Sequence, residues 1–108
     1  MKSLKFRVWD KKYNVWSVDV IFIYSTEEVL LKNRILQQFT GLKDKYGQEI
    51  YEGDIMEFVD DVGVRCRGVV NYDHNYAAFL IDNSALWKEY MSNQSVIGNI
   101  LENPELLE

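Results

Sequence analysis

Thr40-Gly41-Leu42-Lys43-Asp44-Lys45-Tyr46-Gly47-Gln48-Glu49-Ile50-Tyr51-Glu52-Gly53-Asp54 is the most clearly punctuated stretch of the chain. Gly41, Gly47 and Gly53 interrupt it. Asp44-Lys45-Tyr46-Gly47 has the composition of a four-residue turn: the Asp side chain can accept hydrogen bonds from backbone just ahead of it, and Gly supplies a positive φ. Read this way, the Gly and Asp residues fix turns that seat the central strands. Downstream the pattern is short and regular. Residues 55–59 form a strand, Asp60-Asp61-Val62-Gly63 a turn, and residues 64–72 the return strand. Asp73-His74-Asn75 is another turn and residues 77–81 another strand. Asn83 can cap a short helix over 84–91, with Leu86, Trp87 and Tyr90 on one side. Residues 95–101 form a last strand. Pro104 sits in the first turn of a terminal helical stub, where its missing N–H costs nothing.

Working back from Thr40, the first strand covers residues 4–9. Leu4, Phe6 and Val8 alternate there with Lys5, Arg7 and Trp9, so one face is apolar and the other basic and aromatic. Residues 10–14 are turn-like, and residues 15–24 are rich in β-branched and aromatic types. A hairpin over 4–24 is the simplest account. Residues 29–39 stay open between two readings. Ser25 and Glu28 resemble a capping box, and Leu31, Ile35 and Phe39 would share one helical face. Equally, a turn at 32–34 could lead into a strand over 35–39. The fold class that results is α+β, mainly β: a small, twisted, barrel-like antiparallel sheet with one or two short helices.

Composition bounds the rest. The 108 residues suggest a single domain over 1–108, with the hairpin at 4–24 and the motif and barrel-like part at 38–101. Apolar residues at 47% and aromatics at 14% suffice for a core. Twelve basic against 17 acidic residues give a net charge of −5, which weighs against a dedicated phosphate-backbone binder. A single Cys permits no internal disulfide, and a single His no two-His metal site within one copy. No apolar run approaches a membrane span. The opening does not read as a signal peptide, and cytoplasmic localisation is the expectation. Charge is uneven: residues 1–50 carry nine basic and six acidic groups, residues 51–108 three and eleven. Either two faces of one domain simply differ, or a positive half of one copy meets a negative half of another, for instance head-to-tail.

Three segments together resemble one family. Phe6-Arg7-Val8-Trp9-Asp10 resembles the opening of the YopX family of phage and prophage proteins. The stretch 38–55 resembles its central motif, with Tyr46 departing from the compact polar residue more usual before that Gly. Val96-Ile97-Gly98-Asn99-Ile100 with Glu102-Asn103-Pro104-Glu105-Leu106-Leu107 looks like its ending. The resemblance implies a β-rich fold with some helix, a homo-oligomeric habit, and an extended segment before the central motif. It brings no catalytic residue to carry over. Thr40, Gly41, Leu42, Asp44, Gly47, Ile50, Tyr51, Gly53 and Asp54, with Gly98, Asn99 and Pro104, are read as structural motif residues.

Tests for chemistry give plain answers. A phosphate loop needs Lys-Ser or Lys-Thr opening a helix after its glycines; here a strand follows. A calcium loop from Asp44 would need Gly sixth and Glu twelfth; Gly comes fourth and residue 55 is Ile. His74 beside Asp73 reads as an exposed turn residue rather than a general base. Cys66 shares a strand face with Val64 and Gly68 and reads as a small core filler. The carboxylate pairs Asp60-Asp61 and Glu52/Asp54 fall at turns. An enzyme would need a site assembled across copies, where several His74 side chains could converge. No cofactor or metal is implied.

Lys5, Arg7, Trp9, Lys11, Lys12, Tyr13 and Trp16 form the candidate interaction surface. They could fill or cover the core, meet a protein, or stack the bases of a single strand. The expectation is a non-enzymatic phage or prophage accessory protein that self-assembles or engages a host or phage protein. The alternative is a single-stranded nucleic-acid module using the N-terminal hairpin.

Overall fold

A computed structural model describes residues 5–17, 34–60, 62–75, 77–81, 84–85 and 93–108. The molecule is mainly β, and all strand pairings among the described residues are antiparallel. One sheet runs β2(Val15–Ser17), β1(Phe6–Asp10), β3(Arg34–Lys43), β4(Glu49–Tyr51). The other runs β8(Ser84–Ala85), β7(Ala78–Ile81), β6(Arg65–Asp73), β5(Asp54–Val59), β9(Ser95–Asn99) and curls into half a barrel.

The turn chemistry of the central stretch accounts for the sheet entries. The Gly47 amide donates to the Asp44 carbonyl at 3.0 Å, and Gly47 has φ +83°. The Asp44 carboxylate accepts from the Tyr46 and Gln48 amides, both at 2.9 Å. Asp60 repeats the device before β6, accepting from the Val62 and Val64 amides at 3.0 and 2.8 Å.

The core lies on one face of the curled sheet. Ile50, Met56, Phe58, Val70 and Ile81 are buried together, with Cys66, Phe79 and Val96 packed against them. Met56 and Phe58 are two residues apart and so share a face of β5. Fully burying side chains of this size contributes about 1.5–3 kcal/mol each. β5 is covered on both faces, since its neighbours Ile55 and Met56 are both wholly buried. Opposite β5, Ile55 pairs with Gly98 and Met56 with Val96, so Ile97 is the extra residue of a bulge in β9.

The structure decides one open reading and changes two expectations. Residues 34–39 belong to β3, so the strand alternative holds there and the helical face of Ile35 and Phe39 does not form. β3 pairs with β1 over five residues, and that pairing satisfies backbone groups a short helix would otherwise satisfy internally. The helix expected from Ser84 does not begin there: Ser84 and Ala85 pair with Ile81 and Leu80 as β8, because an adjacent strand edge outcompetes a local cap. Among the described residues there is no α-helix, only a 3-10 turn at Pro104–Leu107 with Pro104 in its first positions. The proposed helix start at 25–28, the hairpin beyond Ser17 and residues 86–91 lie outside the described residues. Finally, β1 does not present a basic aromatic outer face. Val8 and Trp9 are both buried, at 0% and 7% exposure, so both faces of β1 are covered there, Trp9 packing edge-on against Trp16.

Candidate functional site

A polar cluster ties the two sheets together. β1 contributes Arg7, β3 Gln37, β5 Asp54 and β9 Asn99. Arg7 donates from Nε and Nη2 to Gln37 Oε1, at 3.1 and 2.9 Å, and from Nη2 to Asp54 Oδ1. Asn99 Nδ2 donates to the same Gln37 oxygen at 2.9 Å and to Asp54 Oδ1 at 3.1 Å. The other Asp54 oxygen accepts from the Tyr51 amide at 2.8 Å. Gln37, Asp54 and Asn99 are all buried, and among the described residues every buried side-chain polar atom has a partner. A cluster satisfied in this way rigidifies and specifies one packing.

The guanidinium is also held by its faces. Its carbon lies 4.3 Å from the Trp16 ring centroid and 4.5 Å from that of Tyr51. Trp16 in turn meets Trp9 edge-on, centroids 4.9 Å apart, and donates its indole N–H to Glu102. Arg7 is suited to this role, since its planar fork bonds in its plane and stacks across it. A shallow hollow of about 210 Å³ opens beside the cluster, lined by Arg7, Gln48, Asp54, Asn99, Glu102 and Asn103 among others.

Gly53 explains why this corner needs the motif. Its φ is +85°, and a Cβ there would stand 2.8 Å from Gln37 Cδ. Gly98 is similarly closed, with Leu106 Cδ1 and Asn103 Oδ1 at 2.7 and 2.8 Å from a Cβ position. Thr40 donates its hydroxyl to the Ile50 carbonyl at 2.8 Å, and Gly41, at φ +87°, lies where the β3–β4 register shifts. Leu42 is exposed at 38%, outside the packed cluster.

The remaining residues of the hairpin surface separate into two groups. Arg7, Trp9 and Trp16 are engaged internally, as described. Lys5 is exposed and bonds both Glu49 oxygens at 2.8 Å, joining the start of β1 to β4. Tyr51 donates its hydroxyl to Glu49 at 3.3 Å. The hydrogen bond to Glu49 raises the Lys5 ammonium above its ordinary value, and the same bond lowers the Glu49 carboxyl. Burial, then the Glu49 charge, raises the Tyr51 phenol. Lys11, Lys12 and Tyr13 stay exposed at the hairpin tip, with the Lys12 ammonium 5.3 Å from the Tyr13 ring. Lys45 and Tyr46 repeat that pairing at the next turn, at 5.1 Å.

His74 is exposed and stacks near Tyr72, with centroids 5.0 Å apart. The Cys66 thiol donates to the Val64 carbonyl at 3.5 Å and to Asp60 at 3.8 Å, and burial pushes it up. No group of three or more His, Cys, Asp or Glu is placed to hold a metal ion among the described residues. None of their helices is long and apolar enough to cross a membrane. Gln37, the residue at the centre of the cluster, carried no sequence signal: the Gln37-Gln38 pair is ordinary in a strand, and its hydrogen-bond partners Arg7 and Asn99 are 30 and 62 positions away.

The central motif thus serves the junction between the sheets. The family model described as YopX protein matches residues 19–108. The chain belongs to the YopX family. Among solved structures, this YopX chain is similar to protein EF1440 from Enterococcus faecalis, at 27% identity and a TM-score of 0.70, over 98% of this chain and 99% of that one. Comparison with curated proteins finds no match.

Proposed function

We propose that this YopX-family chain is a phage or prophage accessory protein without enzymatic activity. It works in the host cytoplasm by binding, either to further copies of itself or to a host or phage protein. The observation that carries this reading is the division of the N-terminal hairpin. Arg7, Trp9 and Trp16 are spent on internal structure, while Lys11, Lys12, Tyr13 and Val15 stand exposed at its tip, Tyr13 at 66% and Val15 at 51%. Exposed Tyr beside cations and apolar side chains is the composition of protein interfaces.

The two Lys–Tyr pairs at loop tips are what favours the second reading, a single-stranded nucleic-acid module. An affinity pull-down from host lysate, with and without nuclease, separates them. A defined protein retained after nuclease supports the first. Recovery abolished by nuclease, with oligonucleotide binding that weakens steeply with salt, overturns it in favour of the second.

A further inference from the structure

A second hollow, of about 260 Å³, is lined by Lys45, Glu57, Val59, Arg65, Asn93 and Ser95 among others, and shares no lining residue with the one beside the polar cluster. Three strands and a turn meet in it. Glu57 and Val59 lie on the face of β5 opposite the core residues Met56 and Phe58. Val59 pairs with Arg65 of β6, and Glu57 with Arg67 of β6 and Ser95 of β9, so these side chains share that face. Lys45 arrives from the β3–β4 turn, which is held against the approach to β9 by its amide, donating to the Gln94 carbonyl at 3.1 Å.

Cations outnumber carboxylates here, against the trend of the chain. Residues 51–108 hold three basic groups and eleven acidic, yet two of the three, Arg65 and Arg67, stand on this face. They share one carboxylate: Glu57 lies 3.6 Å from Arg65 Nε through one oxygen and 3.2 Å from Arg67 Nε through the other. Arg67 also donates to the Leu106 carbonyl at 3.1 Å. Arg65 is held more loosely, since 3.6 Å is longer than a hydrogen bond and its side chain is 76% exposed. The Lys45 ammonium meets no carboxylate among the described residues and rests 5.1 Å from the Tyr46 ring centroid. Asp60, the next carboxylate along, accepts from the Val62 and Val64 amides. Three cations and Glu57 thus leave an excess of positive charge, with the Asn93 amide and the Ser95 hydroxyl as neutral donors beside it. We propose that this hollow binds the phosphoryl group of a small phosphate monoester. An Arg fork, an ammonium and two neutral donors from separate elements suit a dianion whose oxygens point several ways. A carboxylate brings one charge to cations that can balance two. The volume falls below the roughly 300–1,000 Å³ of pockets that enclose a whole ligand, so the phosphoryl group enters and what carries it stays outside. The net charge of −5 repels a polyanion as the carrier.

Titration of the isotope-labelled full chain with inorganic phosphate, phosphoserine and acetate, at constant ionic strength and followed by amide NMR, tests it. The expected result is saturable shifts at Lys45, Glu57, Arg65, Asn93 and Ser95 with phosphate and phosphoserine, and no saturation with acetate. Lys45→Gln and Arg65→Gln, both at exposed positions, each weaken binding at least tenfold. Glu57→Gln frees both arginines and tightens it. Unchanged resonances away from the hollow check that each variant stays folded. No saturation with phosphate, or an equal response to acetate, overturns the proposal, as does phosphate binding that neither Lys45→Gln nor Arg65→Gln weakens. A Glu57→Gln chain that binds no tighter overturns the charge balance on which the site rests. A single-stranded oligonucleotide without a terminal phosphate that shifts these same amides at lower concentration than phosphoserine overturns the small monoester in favour of a nucleic-acid backbone.

Discussion

Gly53 and Gly47 share a backbone conformation and differ in what surrounds them. Both have φ near +84°, at +85° and +83°, but nothing lies within 4 Å of a Cβ at Gly47, whereas Gln37 fills that space at Gly53. Gly47→Ala should therefore cost about 1–2 kcal/mol for the left-handed backbone alone. A β-branched residue such as Gly47→Val should cost toward the upper end of about 1–3 kcal/mol. Gly53→Ala adds the displacement of a buried, triply bonded Gln37 and should cost distinctly more than Gly47→Ala. Chemical denaturation of the three variants checks the order, and equal losses at the two alanines would refute the steric account. The Lys5–Glu49 pair gives a pH prediction at the same scale. Glu49 has its carboxyl lowered from 4.5 by the bond from Lys5, so its contribution is present above 4.5 and lost as pH falls through the lower folded value. Lys5 is raised from 10.5 and Tyr51 from 10.0, so their contributions are present below those values and lost as pH rises. The pair is exposed, so the effect is small and screened by salt. Glu49→Gln should flatten the acid limb of a stability–pH curve, most visibly at low ionic strength; an unchanged limb would show that Glu49 plays no part.

At the scale of elements, β9 is an edge strand whose outer backbone is managed by side chains from elsewhere. The Val96 amide donates to Asp44 Oδ2 at 3.0 Å, and the Asn99 amide to Asn103 Oδ1 at 3.2 Å. Asp44 thus serves two elements at once, its own turn through Oδ1 and the edge of β9 through Oδ2. Asp44→Ala removes an acceptor from three amides, and each amide left buried and unpaired costs about 1–3 kcal/mol. Asp44→Asn keeps one acceptor and sets an NH₂ against an amide N–H. Both variants should melt well below the unmodified chain, with Asn intermediate; an Asn variant as stable as the original would mean that only one oxygen of Asp44 is used. These elements also show what could be read in advance. The turn hydrogen bonds of Asp44, Gly47 and Asp60 reach residues within four positions, and Pro104 opens its own turn, so these turns were legible while the Asp44 bond to Val96 was not. Residues 35–39 were not, because so short a mixed pattern fits either period, and pairing with β1, where Ile35 meets Trp9 26 residues upstream, decided the matter. Ser84 was misread for the same reason: its local capping signal lost to the edge of β7. The hairpin's Arg7 and Trp16 were legible as cation and aromatic, but their burial depended on Gln37, Asp54 and Tyr51, which no local pattern connects to them.

For the whole molecule, the question is whether two sheets fold as one unit. The apolar core described above draws on β4 through Ile50 and otherwise on strands of the curled sheet. The first sheet is also joined to the second by polar atoms: Arg7 and Gln37 from one, Asp54 and Asn99 from the other, with Gly53 donating to the Val70 carbonyl at 2.7 Å and Ile100 to the Gly53 carbonyl at 3.0 Å. A satisfied buried network couples its members more tightly than its pairwise bonds suggest. Native-state hydrogen exchange should then give the amides of β1 and β3 the same opening free energy as those of β5 and β6, one cooperative unit. Arg7→Lys keeps the charge but forfeits the fork to Gln37 and the stacking between Trp16 and Tyr51. In that variant the β1 and β3 amides should exchange faster while β5 and β6 keep most of their protection, splitting one unit into two. If both sheets lose protection equally, the unity of the molecule comes from apolar packing, and the polar cluster serves only to position the strands that meet there.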